Sequence, residues 1–110
     1  MARVYKRLGA TVVTADTDTA LYTVPASTEA IVSEITICNI GATQRTFRLA
    51  HVDGAIGAIS NEDYKYYDAT LNPNSSLVLN IGLAMATTHT LLVRANHADV
   101  VFSCSGVEVT

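Results

Sequence analysis

The sequence predicts an all-β fold: an antiparallel β-sandwich of jelly-roll-like topology, with a short N-terminal arm. Three observations lead there. Eight short stretches rich in Val, Ile, Thr, Leu and Tyr are separated by Gly, Pro, Asn and Asp within 110 residues. Most connections are short enough for antiparallel neighbours, while the long link around residues 53–62 offers a crossing between sheets, as a Greek-key arrangement requires. No repeat period of roughly 20 to 50 residues recurs, which sets a repeat architecture aside. Residues 1–10 are expected as the arm and residues 11–110 as one sandwich domain.

Residues 10–19 are small and polar, carry Asp16 and Asp18, and read as an edge extension or a loop. Residues 20–24 form the first secure strand, which Pro25 stops. The strongest run is residues 29–39. Here Ile31, Ile35 and Ile37 are expected on one face and Glu34, Thr36 and Cys38 on the other, with Ser33 interrupting the inward face. After the Asn39-Ile40-Gly41 turn, residues 43–52 set Phe47 and Leu49 against Arg48, the pattern of a half-buried strand. With the preceding run this is expected to make an antiparallel hairpin. Residues 53–62 read as a loop over one end of the sandwich rather than a helical turn, because Gly54 and Gly57 weaken a helix.

Residues 63–70 are a tyrosine strand, with Tyr64 and Tyr66 expected on one face and Lys65 and Tyr67 on the other. The turn Leu71-Asn72-Pro73-Asn74-Ser75 marks a sheet change or a long crossing. Residues 76–81 place Leu77, Leu79 and Ile81 inward, Gly82 permits a bend, and Leu83 and Met85 continue as a short apolar segment. Residues 88–95 and 99–109 complete the pattern, joined by Asn96-His97-Ala98. The last reads in either phase and is expected as a central or covered strand.

Only 15% of the residues are charged, below the roughly 25% of typical soluble domains. Part of the surface is therefore expected to be covered by a partner, unless a Thr- and Ala-rich exterior accounts for the deficit. A formal charge of -3 provides no field for phosphate backbones, so nucleic acid is not an expected partner. Arg3, Lys6 and Arg7 gather three of the seven basic residues at the start of the chain. They read as a docking arm for an acidic neighbour or as a solvated terminus. No stretch approaches roughly 18 apolar residues, and the opening MARVYKRLGATVV lacks a continuous apolar segment for export. Cytoplasmic synthesis without membrane insertion is expected. Cys38 and Cys104 lie in apolar runs and read as buried free thiols; a disulfide would need their strands to face each other.

Chemistry is sparse. His51 and Asp53 share a strand face and could reach one metal, but no third ligand is identifiable, and His97 with Asp99 repeats the spacing without a link to the first pair. No metal or cofactor is expected. The thiols lie in runs that read as buried, and no nucleophile elbow, phosphate loop or zinc-binding helix motif is present, so an enzyme is not expected. Asp16-Thr17-Asp18 lacks the full calcium-loop pattern and reads as a solvated acidic loop. Tyr64, Tyr66 and Tyr67 supply amphipathic rings for an interface or simply cover neighbouring strands. A carbohydrate-binding module is the non-assembly alternative, with Trp absent and only this cluster as a platform.

LYTVPASTEAIVSEITICNIG, followed by FRLAHV, YKYYD and TLLVRAN, resembles small β-sandwich structural proteins of tailed bacteriophages over roughly residues 20–105. The resemblance implies a virion part: a head decoration or cement protein on the capsid or, as the alternative, a tail or baseplate component. The partner it implies is the major capsid protein, with a homotrimer at three-fold positions or a dimer at two-fold ones. The contact candidates are Arg3, Tyr5, Lys6 and Arg7, the tyrosine strand with Tyr64, Tyr66 and Tyr67, and then Arg45, Arg48 and Arg94, whose guanidinium forks suit partner carboxylates.

Overall fold

The computed structural model describes residues 3–110. Its strands are β1 (Arg3–Val12), β2 (Thr19–Thr23), β3 (Glu29–Asn39), β4 (Arg45–Val52), β5 (Tyr64–Leu71), β6 (Ser75–Leu79), β7 (Leu83–Met85), β8 (Thr90–Ala95) and β9 (Val100–Val109). They build two antiparallel sheets. One has the order β1-β9-β3-β6, with β7 also on β3; the other has the order β2-β8-β4-β5. The pairs β4·β5, β3·β6, β2·β8 and β1·β9 are nested in the chain and alternate between the sheets. The result is one long ribbon, folded at β4–β5 and wrapped around a core.

That core lies between the sheets, with Ile35, Ile37, Val100 and Phe102 on one side and Phe47, Leu49, Leu91 and Val93 on the other. The rings of Phe47 and Phe102 meet edge to face at 6.4 Å across it. Burying each such side chain contributes roughly 1.5–3 kcal/mol, so the alternating apolar positions are what hold the two layers together. As expected, β9 is an interior strand, flanked by β1 and β3.

Residues 3–12 are not a free arm. They form a strand that pairs with β9 from Arg3↔Val109 to Val12↔Val101, so the expected boundary between residues 10 and 11 falls inside a strand; residues 1–2 lie outside the described residues. Gly9 makes this possible at the corner where β1 crosses β2. A Cβ there would lie 2.2 Å from the Leu21 carbonyl oxygen, a distance no side chain tolerates.

The expected β3–β4 hairpin does not form, because β3 and β4 belong to different sheets. Asn39, fully buried, fixes the crossing: its amide nitrogen donates to the Thr43 carbonyl at 2.8 Å and the Asn72 carbonyl at 3.2 Å, and its oxygen accepts from the Gly41 N–H at 3.0 Å. One side chain thus ties together the two turns that change sheets, giving their backbone groups partners outside any ladder. The second of those turns, at residues 72–74, lies where the sequence marked a sheet change.

Residues 53–63, in contrast, join two strands of the same sheet rather than crossing between sheets, and they contain two 3-10 turns, Ile56–Ala58 and Asn61–Asp63. The second is held by a reciprocal cap between Ser60 and Asp63. Ile56 and Ile59 from this link cover Ala50, Val52 and Leu92, forming a small apolar cluster on the outer side of the sheet.

Two bulges reverse expected side-chain directions. Val32 pairs with Gly106 and Glu34 with Ser105, leaving Ser33 as an extra residue. N-terminal to it the alternation changes phase: Ala30 and Val32 are buried, and Ile31 faces out at 47% exposure. On β5, Leu49 pairs with Tyr66 and Ala50 with Tyr64, so Lys65 is extra and the two tyrosines fall on opposite faces. Ile81, expected inward, lies beyond the end of β6 and is exposed.

Candidate interaction surfaces

The outer face of the β2-β8-β4-β5 sheet gathers four of the residues singled out from the sequence. Arg48 on β4 and Arg94 on β8 stand directly opposite each other. Two like charges in that position repel, and each is matched by an acid. Arg48 donates from Nε and Nη2 to the two carboxylate oxygens of Asp68, at 2.7 and 3.2 Å. Arg94 donates from Nη1 to Asp18 at 3.3 Å. Asp68 sits in left-handed backbone conformation, φ 50°, within the irregular stretch of β5; Asp tolerates that region better than most residues. The Arg48 bond holds the Asp68 carboxyl below its ordinary range and raises the basicity of Arg48 in return.

The Arg48 guanidinium also lies over Tyr67, its carbon 4.0 Å from the ring centroid. Tyr67 in turn meets Tyr64 edge to face, with centroids 4.9 Å apart and planes at 88°. Acid, guanidinium and two rings therefore form one preorganised raised patch, made of the residue types that carry binding energy at protein interfaces. Tyr66 is not part of it: the bulge turns it inward against the core, half-buried and 5.5 Å from Phe47.

The expected β1 candidates divide between the two faces of their strand. Tyr5 is on the outer face, where its hydroxyl bonds the Ser33 Oγ at 2.9 Å. Arg7 shares that face, opposite Ser105, as does Arg3, opposite Val109. Lys6 points the other way and binds Glu108 at 2.8 Å. The Tyr22 hydroxyl donates to the second Glu108 oxygen. Lys6 and Tyr22 hold the Glu108 carboxyl low, while burial and then Glu108 push the Tyr22 hydroxyl up. This inward acid pins β1 to the opposite sheet, and no local sequence pattern displays it, because its partners are far apart in the chain. Arg45 stands apart at the far end of β4, donating to Asp99 at 2.9 Å.

At the other end of the sandwich, His51 Nε2 lies 2.8 Å from His89 Nδ1, and His89 Nε2 lies 3.0 Å from Asp53 Oδ1. Asp53 thus pairs with His89, not with its chain neighbour His51. With Asp53 accepting from His89 Nε2, the neutral His89 ring accepts from His51 through Nδ1. Burial, then the neighbouring His89, lowers the His51 pKa. Among the described residues no group of three His, Cys, Asp or Glu is placed to hold a metal ion. Both cysteines are free thiols, Cys104 buried and Cys38 half-buried.

Comparison with protein-family models, with curated proteins and with solved structures finds no match.

Proposed function

We propose that this protein is a non-enzymatic virion structural protein of a tailed bacteriophage, which binds the outside of the capsid as a decoration or cement protein. The observation that carries the reading is the patch of Arg48, Asp68, Tyr67 and Tyr64, built on a rigid sheet instead of a loop. A cement protein needs a stiff scaffold and a surface whose anchors are ordered before binding, since ordering them during binding costs affinity. Repetition over a capsid lattice then multiplies a modest affinity.

The finer fold reading belongs with this proposal. Four nested antiparallel pairs, alternating between two sheets, support a jelly roll, an architecture used by viral capsid and lectin domains alike. Fold analogy leaves both classes open, so the surface must choose between them. A sugar platform needs an uncovered aromatic face, whereas one face of Tyr67 is occupied by a guanidinium that Asp68 holds in place. That favours a protein partner that packs apolar groups against the open side of the ring, such as a capsid subunit.

The test is cosedimentation of the purified protein with capsids of the encoding phage that lack it. Binding that saturates at lattice stoichiometry and weakens at least roughly tenfold in Tyr67→Ala is expected. Absence of binding, together with retention on immobilised glycans, would overturn the reading in favour of a carbohydrate-binding module.

A further inference from the structure

We infer that the outer face of the β1-β9-β3-β6 sheet is a self-association surface, on which two copies of this chain pack sheet to sheet about a two-fold axis parallel to the strands. Residues directly opposite on antiparallel strands share a face, so the register sorts this surface into rows. Toward one end, Val12 and Val78 are 58% and 50% exposed, in rows that carry no Arg, Lys, Asp or Glu. Toward the other end, Tyr5 and Ile31 are 65% and 47% exposed and lie in one row. No segment among the described residues is packed over this face.

Two rows are charged, and each carries its charges in the same arrangement. One holds Arg7 on β1, Ser105 on β9 and Glu34 on β3; the other holds Arg3 on β1, Val109 on β9 and Glu29 on β3. Turning a second copy over about an axis that runs along the strands between β9 and β3 keeps each charged row facing itself, with its order reversed. The second copy's Glu34 then lies above β9, one strand from Arg7, and its Glu29 takes the same place beside Arg3. With strands about 4.8 Å apart and packed sheets about 10 Å apart, each Arg–Glu pair is within the combined reach of the two side chains. An axis across the strands would instead set Arg7 on Arg7 and Glu34 on Glu34, and would lay Arg3 on the uncharged row of Val12. The surface is therefore self-complementary in one orientation only.

The size is sufficient. β1, β9 and β3, each about ten residues long, with β6 and β7 end to end in the fourth position, lie about 4.8 Å apart and cover roughly 600 Å² per copy, or roughly 1,200 Å² in total, the lower bound for stable specific interfaces. A flat face is used up by one partner, so the closed form is a dimer. The inference does not rest on the virion role, because its occupant is a second copy of this chain.

Sedimentation equilibrium over a concentration series tests it on the full chain. The wild type is expected to reach dimer mass, and Arg7→Glu and Glu34→Arg should each weaken dimerisation roughly tenfold. The double variant, which exchanges the two charges, should recover most of that loss. Both substitutions are at exposed positions, and circular dichroism checks that each of the three variants keeps the wild-type fold. A wild type that stays monomeric, single variants that dimerise normally, or a double variant that fails to recover would each overturn the inference. A monomer that still bound capsids would overturn this inference alone and leave the proposed function standing.

Discussion

The guanidinium carbon of Arg48 stands 4.0 Å from the centroid of the Tyr67 ring, on the outer face of one sheet. Asp68 fixes the guanidinium from the side, and Tyr64 supports the ring edge to face. Tyr67 nevertheless remains 59% exposed. A ring held this firmly and left this open contributes little to folding and is available to a partner.

Tyr67→Ala should therefore separate binding from stability. An exposed cation–π contact stabilises by about 0.5–1 kcal/mol, so the urea midpoint should move only slightly. Capsid attachment should weaken at least roughly tenfold, as expected for an interface anchor. Urea titration and cosedimentation on the same preparation read the two effects.

Tyr66→Ala should do the reverse. Tyr66 is half-buried and packs against the core on Phe47, 5.5 Å between centroids. Truncating this half-buried aromatic costs about 2 kcal/mol, between a surface and a core position. Equilibrium unfolding should show that loss, while a sample that remains folded should bind capsids with wild-type affinity.

Acidification should weaken the fold through His51. Its folded-state pKa is lowered, first by burial and then by His89, so the unfolded chain takes up this proton more readily than the folded one. Stability from this group is complete above the unfolded value of about 6.5 and declines as pH falls below it toward the lowered folded value. Asp53, Asp63 and Lys65 also act on His51, the acids favouring its proton and Lys65 opposing it. Urea midpoints measured from pH 8 to pH 5 should fall in the wild type and fall less steeply in His51→Gln.

The two thiols should differ sharply in reactivity. Burial pushes the Cys104 thiol up to about 11, while Cys38 is half-buried on the outer face of its sheet. An aromatic disulfide reagent should titrate Cys38 in the folded monomer at low protein concentration, more slowly at concentrations where the inferred dimer covers that face, and Cys104 only after unfolding. Cys38→Ala should remove the fast phase and leave the slow one.

The strands were more legible in the sequence than their partners. The bounds of β3 followed from its apolar run and the turn residues beside it, and Pro73 with two asparagines marked a true change of sheet. The β3–β4 connection looked like a hairpin because it is short. What sends β4 to the other sheet is Asn39, whose hydrogen bonds to residues 43 and 72 no local pattern displays. Bulges were the second blind spot. One extra residue at Ser33 turns Ile31 outward, and one at Lys65 sends Tyr66 inward while Tyr64 joins Tyr67. Of the candidate site, Arg48, Tyr64, Tyr67 and Arg94 stand out in the sequence by residue type, but their union depends on β4, β5 and β8 lying side by side.

The most direct measurement is a cryo-electron-microscopy map of the virion of the encoding phage. Density for this β-domain repeated over the capsid lattice, with Arg48 and Tyr67 against the shell, is the expected result. Density confined to the tail, or no copy of the protein in the particle, would contradict capsid decoration.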